Sequence, residues 1–343
     1  MHRRISAPAG TPSGPPAPTP AATPAATPPA AAAAGLPAPA GGWPPAAVLR
    51  AAAGWTWEPE GAEVVAGDVR VVRYPEWFAA GVLATQVDSD RSPADLVDEV
   101  VGRTRAWGAR RLGWWVTAGD RPAVEDELRR RGAVHADTVA VLALPLAGPA
   151  HDPAEDLADD AAEGLAATLA ATLAATLAAT LAATLAATLA VPDGVSAELV
   201  RTAAQLQEVD AVNVPVWDQQ PLTPERLDAD LDEVRRGLAD GTGFRVLARL
   251  DGRAVATGGV TLADPPAGWP RLGRVARLWG AATLPAARGR GAYRAVLAAR
   301  LARARALGAS MALVKGRTGT SAPILTRAGF RRYGEERLYR LTV

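Results

Sequence analysis

Leu284-Pro285-Ala286-Ala287-Arg288-Gly289-Arg290-Gly291 joins an apolar run, about Val275 to Thr283, to a long segment from about Ala292 to Leu307 that Gly308 closes. The run reads as a strand and the segment as a helix. A helix N-terminus leaves backbone N–H groups without partners and carries partial positive charge, so it attracts phosphate. Glycines let the backbone approach phosphate oxygens closely, and Arg288 and Arg290 add charge. From Pro265 to Gly334 there is no Asp or Glu in seventy residues, against fourteen Arg or Lys, in a chain with 36 acids. The loop is therefore predicted to meet a polyanion.

Other phosphate motifs fit less well. A P-loop needs G-x-x-x-x-G-K-[ST], which is absent. The dinucleotide fingerprint G-x-G-x-x-G fails because Arg294 stands where its third glycine belongs, and the chain upstream reads as a hairpin meander. Arg294, Arg300, Arg303 and Arg305 share one helix and read as a solvated basic face, so no nucleic-acid partner is expected.

Outward from the loop the sequence is mixed. Ser196 to Val200 is a strand candidate, followed by a helix from Thr202 to about Val212. Pro215, Trp217, Asp218, Gln219, Gln220 and Pro221 read as a polar, aromatic loop. Thr223 caps the next helix, Pro224 opens it, and Leu227, Leu231, Val234 and Leu238 give it an apolar face before Gly241. Phe244 to Leu250, Asp251-Gly252 and Val255 to Leu262 make a hairpin. After the phosphate loop and its helix come a strand at Met311 to Val314, a short helix near Pro323 to Arg327, and a last strand at Arg337 to Val343.

The loop, and Thr318-Gly319-Thr320-Ser321-Ala322-Pro323-Ile324-Leu325-Thr326-Arg327-Ala328-Gly329-Phe330 downstream, resemble in order and spacing the two cofactor motifs of the GNAT acetyltransferases. The resemblance covers residues 194–343. It implies an α/β (α+β) fold whose mixed, mostly antiparallel sheet is flanked by helices, with acetyl-CoA as cosubstrate. It further implies that Ala281, Ala282 and Thr283 pair with the pantetheine arm and that backbone N–H groups from Gly289 through Arg290, Gly291, Ala292 and Tyr293 to Arg294 hold the pyrophosphate. Arg288 would lie near the phosphates and Ser321 beside the cofactor. Tyr293 departs from the motif's small residue, and Leu325 stands where family members often carry a tyrosine that protonates the leaving thiolate.

Catalytic groups are harder to read. With no acid on the central strand and helix, the candidate proton carriers are Asp218, Asp264, Glu335, Glu336, Tyr293 and Tyr333, or water. The resemblance places acceptor contacts in the loop Asn213 to Leu222, where Trp217, Asp218, Gln219 and Gln220 suit a cationic small-molecule amine.

The N-terminal half repeats the order without the motif. Ser92 caps a helix opened by Pro93 and stopped at Gly108; a strand follows at Leu112 to Val116, a helix through Leu128 to Gly132, and a strand at Thr138 to Leu144. It resembles a degenerate copy of the same domain, giving a duplicated fold, with Asp88-Ser89-Asp90-Arg91-Ser92 where the phosphate loop should be. Acids there would repel phosphate. The expected organisation is a disordered Ala/Pro-rich tail at 1–42, a degenerate half at 43–147, an acidic linker with a Leu-Ala-Ala-Thr repeat at 148–193, and an acetyltransferase domain at 194–343.

The repeat places leucine every four residues from Leu165 to Leu189. On a 3.6-residue helix that stripe drifts about 40° per step, and each unit carries a threonine, so a linker helix ended by Pro192 is expected and no membrane span. The chain has no cysteine and only His2, His135 and His151, which excludes disulfides, thiol nucleophiles and Cys-ligated zinc and suits the cytoplasm. No metal is expected. The sequence thus points to an acetyl-CoA-dependent N-acetyltransferase, with a non-catalytic acyl-CoA-binding sensor or scaffold of the same fold as the alternative.

Overall fold

A computed structural model describes residues 43–76, 78, 80–146, 172, 176 and 189–343. The expectations for the tail at 1–42, the acidic stretch and most of the Leu-Ala-Ala-Thr repeat lie outside the described residues; Thr172 and Thr176 are helical. In the N-terminal half the order is α1 (Pro45–Ala53), β1 (Glu63–Val65), β2 (Val69–Arg73), β3 (Val82–Val87), α2 (Pro93–Ala106), β4 (Arg111–Thr117), α3 (Pro122–Arg130) and β5 (Val134–Pro145). In the C-terminal half it is β6 (Val195–Leu199), α4 (Ala203–Trp217), α5 (Pro224–Asp240), β7 (Gly243–Leu250), β8 (Arg253–Ala263), β9 (Arg274–Thr283), α6 (Ala292–Ala306), β10 (Ala309–Arg317), α7 (Ser321–Arg327) and β11 (Arg331–Thr342).

All eleven strands form one sheet in the order β1-β2-β3-β4-β11-β5-β10-β9-β8-β7-β6. Only β3 with β4 and β9 with β10 run parallel; the other pairs are antiparallel. The last strands of the halves are exchanged. β11 lies between β4 and β5, and β5 lies between β11 and β10. The chain boundaries expected near 147 and 194 therefore divide the sequence but not the sheet.

Local chemistry explains the element ends. Ser92 accepts from Asp95 N and Thr223 from Arg226 N, each ahead of a proline at the first helical position. Thr202 and Gln205 form a reciprocal capping box. Asp251 and Gly252 both have positive φ, as a two-residue hairpin requires. One expectation needs correction: helix α4 runs through Pro215 to Trp217, so the first three residues of the expected loop are helical and only Asp218 to Pro221 remain loop. Pro215 lacks an N–H for the helix ladder, but in the final turn that loss is confined to one bond.

The sheet is covered on both faces. On one, α6 and α7 pack Val296, Leu297, Leu301 and Leu325 onto Leu142, Leu278 and Ala312. Full burial of side chains of this size contributes about 1.5–3 kcal/mol each. On the other, α4 and α5 bury Leu206, Val209, Leu231 and Val234 against Leu247, and α1 lays Trp43, Val48 and Trp55 over Val141, Met311 and Leu313. Among the described residues no helix is long and apolar enough to cross a membrane.

Candidate functional site

The site is built where two parallel strands part. Pairing of β9 with β10 begins at Arg274↔Ala309 and ends at Arg277↔Leu313. Beyond that, β9 continues along β8 to Thr283↔Ala256, while β10 continues along β5 to Arg317↔Val139. A wedge opens between residues 278–283 and 314–317. Its β9 side is bulged: Gly259 pairs with Trp279 and Thr257 with Ala282, leaving Gly280 and Ala281 across from Gly258, with Gly280 at φ +61°. The edge of Ala281, Ala282 and Thr283 away from β8 is therefore free of β10.

The chain then turns through Pro285–Ala287, and Gly289 (φ +77°) and Gly291 (φ +86°) lead into α6. No side chain caps α6 and no acid lies in its first turn, so its N–H groups remain available to a ligand. A side chain at Gly289 would meet nothing within 4 Å, whereas one at Gly291 would run into Pro192. Arg288, Arg290 and Arg294 are exposed, with Arg290 Nη2 3.3 Å from Asp251 Oδ2. Ser321 begins α7, its Oγ against Gly316 of β10. Thus the β9 end, the start of α6 and Ser321 share the C-terminal edge of the parallel pair. Tyr293 turns its ring into the core, beside Arg300. Burial pushes its phenol up, partly opposed by the Arg300 guanidinium. Its departure from a small residue thus leaves the start of α6 intact.

The helix arginines do not form one solvated face. Arg300 is 2% exposed, and Arg305 Nε donates to Leu146 O. The position is set by phase, because Arg300 follows Val296 and Leu297 on the face of α6 that meets the sheet.

The residues expected at the acceptor separate. Trp217, the last residue of α4, lies with its ring 5.9 Å from Arg317 Cζ at the end of β10, so it borders the wedge. Asp218 follows in the left-handed region and is exposed, and Gln219 N donates to Val214 O. Asp210 Oδ2 accepts from Leu222 N at 3.1 Å and ties this turn down. Burial pushes the Asp210 carboxyl up, opposed by that bond.

Among the expected proton carriers, Glu336 is buried and bound to Lys315 Nζ at 2.8 Å, on the face that α1 covers. Tyr333 packs in the same cluster as Trp43 and Trp55, and burial pushes its phenol up. Glu335 pairs with Arg332 and Arg337. Asp264 follows Ala263, which pairs with Val275 at the opposite end of β9, so it is not at the wedge.

Three features of this face were not read from the sequence. Trp55 lies between Arg277 (Cζ 6.0 Å from its ring centroid) and Lys315 (Nζ 5.8 Å), at the vertex of the wedge. Arg277 donates to Gly54 O at 3.2 Å, and burial lowers its pKa to about 10. Glu233 on α5 has its carboxyl pushed up by burial, opposed by Arg245, whose Cζ lies 5.3 Å from the Trp279 ring centroid. A signal for the acids was present: Asp230 is in phase with Leu227, Leu231, Val234 and Leu238, and Asp230 and Glu233 are one turn apart.

The N-terminal half has the same parting of strands, with β3 leaving β4 after Ala84↔Trp114. There the helix is capped by Ser92, Arg91 is held by Asp68 and Glu99, and Arg121 Nη1 donates to Ser89 O, joining the start of α3 to the loop before α2.

Comparison with known proteins agrees with this architecture. Solved structures similar over most of the chain include a GCN5-related N-acetyltransferase from Sphaerobacter thermophilus (16% identity, 82% of this chain and 82% of that chain, TM-score 0.52). Another is that from Kribbella flavida (18%, 81% and 89%, 0.50). A third is a tandem GNAT protein from the clavulanic acid biosynthesis pathway (14%, 83% and 84%, 0.52). No curated protein matches the chain by sequence. The fold is therefore that of the tandem GNAT proteins, with both halves included. Residues 211–330 match the acetyltransferase (GNAT) family, and the C-terminal half carries a domain of that family.

Proposed function

We propose that the C-terminal half transfers an acetyl group from acetyl-CoA to an amine of a small molecule, with one cofactor site per chain. The observation that carries this reading is the wedge between β9 and β10 beside the uncapped start of α6, in a stretch without acids. Acetyl-CoA bound there supplies an activated acyl group. The N–H groups of Gly289 and of Gly291 to Arg294 hold its pyrophosphate, the Arg290 N–H being donated to Ala287 O, with Arg288, Arg290 and Arg294 adding charge. The free edge of Ala281 to Thr283 takes the pantetheine amides, and Ser321 flanks the arm. Holding both reactants in the wedge orients the amine on the thioester.

The amine approaches on the α4 face, beside Trp217, Asp218 and Gln219. We assign Glu233 to accept its proton, because burial raises that carboxyl and its neighbour Arg245 lies over the ring of Trp279 on β9. A second reading, a non-catalytic acyl-CoA sensor or scaffold, is favoured by Leu325. That residue is 1% exposed in the core and puts no hydroxyl at the motif position where a proton donor is expected.

Calorimetry with acetyl-CoA, on the wild type and on Gly289→Asp, tests the site. Micromolar binding, about −8 kcal/mol, weakened at least about tenfold by the added carboxylate, is expected. Thiol release with a panel of amines then separates enzyme from sensor, and the reagent sees only CoA because the chain has no cysteine. Binding without release for every amine favours the sensor; no binding at millimolar acetyl-CoA rejects both readings.

A further inference from the structure

Arg300 is among the largest fully buried side chains of the described residues, 2% exposed, yet no carboxylate acts on it among them. Its Nη1 has two carbonyl acceptors, Gly259 O and Trp279 O, both at 3.4 Å, and its Nε–H has no partner among the described residues. Beyond these its one polar side-chain neighbour among the described residues is the Tyr293 hydroxyl, which is no counter-charge; burial lowers the guanidinium's pKa, with the hydrogen-bonded Tyr293 phenol opposing. The sheet is shaped to admit it. A Cβ on Gly258 would stand 2.9 Å from Nη1 and 3.0 Å from Cζ, so the socket exists because residue 258 has no side chain.

The guanidinium lies on the β8 side of the bulge, because it bonds Gly259 O of β8 as well as Trp279 O of β9. Every described peptide bond is trans, and in a trans peptide the N–H points opposite to the C=O. With Trp279 C=O turned to Arg300, Gly280 N–H points away from β8, toward the side where β10 has left the sheet. A charged donor on the carbonyl also polarises that peptide and strengthens its N–H as a donor.

We propose that Arg300 is a positioning residue, which holds the Trp279 carbonyl from beneath α6 and thereby aims and strengthens the Gly280 N–H as a donor into the wedge, for the acyl carbonyl of the thioester. The inference rests on the acetyl-transfer reading for the identity of that carbonyl, but not for the geometry of the bulge.

The test uses the full chain and the variants Arg300→Met and Arg300→Lys. Labelling with carbonyl-13C tryptophan and 15N glycine leaves two Trp-Gly amide signals, Gly108 and Gly280, because the sequence contains Trp-Gly only at 107–108 and 279–280. Gly108, at the C-terminal end of α2, is the internal control. In Arg300→Met the Gly280 amide proton is expected to move while Gly108 does not, with a smaller movement in Arg300→Lys, which keeps the charge. In calorimetry Arg300→Met should weaken acetyl-CoA roughly tenfold, about 1.4 kcal/mol, and leave CoA, which lacks the acyl carbonyl, nearly unchanged.

Parallel loss of acetyl-CoA and CoA would show that Arg300 only supports the fold and would overturn the proposal. A Gly280 signal unmoved in both variants would do the same. If Arg300→Met does not fold, Arg300→Lys alone decides on the same two readouts. A wild type that binds neither compound would reject the acetyl-transfer reading and the assigned carbonyl, while the Gly280 shift would still report whether Arg300 controls the bulge.

Discussion

Pro192 stands against Gly291: a Cβ built on Gly291 would lie 2.5 Å from Pro192 Cγ and 2.6 Å from Cδ. The end of the inter-half linker thus packs on the turn that opens α6. Gly291→Ala combines a left-handed conformation, costing about 1–2 kcal/mol, with an overlap worth about 1–3 kcal/mol. Gly289→Ala, with open space around it, carries only the first cost. Urea unfolding should rank the variants in that order, and Pro192→Ala in the Gly291→Ala background should recover the overlap part. Equal losses at both glycines would show that Pro192 does not press on the loop. A carboxylate at Gly289 is for the same reason the cleaner probe of phosphate binding.

The strand exchange predicts that neither half folds alone. A fragment of residues 194–343 lacks β4 and β5, leaving β10 with a bare edge and β11 with neither of its neighbours. It should aggregate, or pair with a second copy, in size-exclusion chromatography. Co-expression with residues 43–147 should restore a one-to-one complex with the circular dichroism of the full chain. A monomeric, cooperatively folded fragment would contradict this.

Glu125 joins α3 to the exchanged strand. Its Oε1 accepts from Tyr339 Oη at 2.5 Å and from Arg337 Nη1 at 3.0 Å. Burial raises its pKa, but the Tyr339 hydroxyl, Arg337 and Arg129 outweigh that and hold the carboxyl below its usual value. A carboxyl depressed in the folded state contributes stability that is full above the unfolded pKa, near 4.5, and is lost as pH falls through the folded one. Glu125→Gln should therefore cost about 1–3 kcal/mol at neutral pH and flatten the loss of stability on acidification below that value. Melting curves from pH 7 to pH 3, taken on both proteins, would show parallel lines if the bridge carries no such energy.

Glu233 presents the opposite sign. Its carboxyl is raised by burial, so the folded state holds the proton longer and stability falls as pH rises from the unfolded pKa through the folded one. Glu233→Gln should be at least as stable as the wild type at pH 7, while kcat/KM falls on the order of 10²-fold if Glu233 is the base. A variant both stable and fully active would remove Glu233 from the mechanism.

Much of the fold was legible because local signals agreed. Thr223-Pro224, Ser92-Pro93 and Asp251-Gly252 each marked an element boundary that the structure keeps. The strand-to-helix turn before α6 could be read because glycine, arginine and the absence of acids coincide over a short stretch. The cluster at the vertex of the wedge could not. Trp55, Arg277, Lys315 and Glu336 come from the turn after α1 and from strands β9, β10 and β11, and nothing in their spacing announces that they meet. The partner of β11 was equally hidden, since β4 and β5 are both about as apolar as a neighbour in its own half. Arg300 was misread because charge was taken as a sign of exposure, when its phase on α6 places it inward.

The exchanged strands also impose an order on biosynthesis. β5 emerges from the ribosome long before β10 and β11, between which it must lie, and β4 waits for residues 331–342. The nascent N-terminal half therefore leaves the tunnel with β4 open on one edge and β5 on both, until about two hundred further residues are made, roughly 10–40 s at common elongation rates. During that interval the apolar β4 and β5 are open to wrong partners, including the same strands of a neighbouring nascent chain.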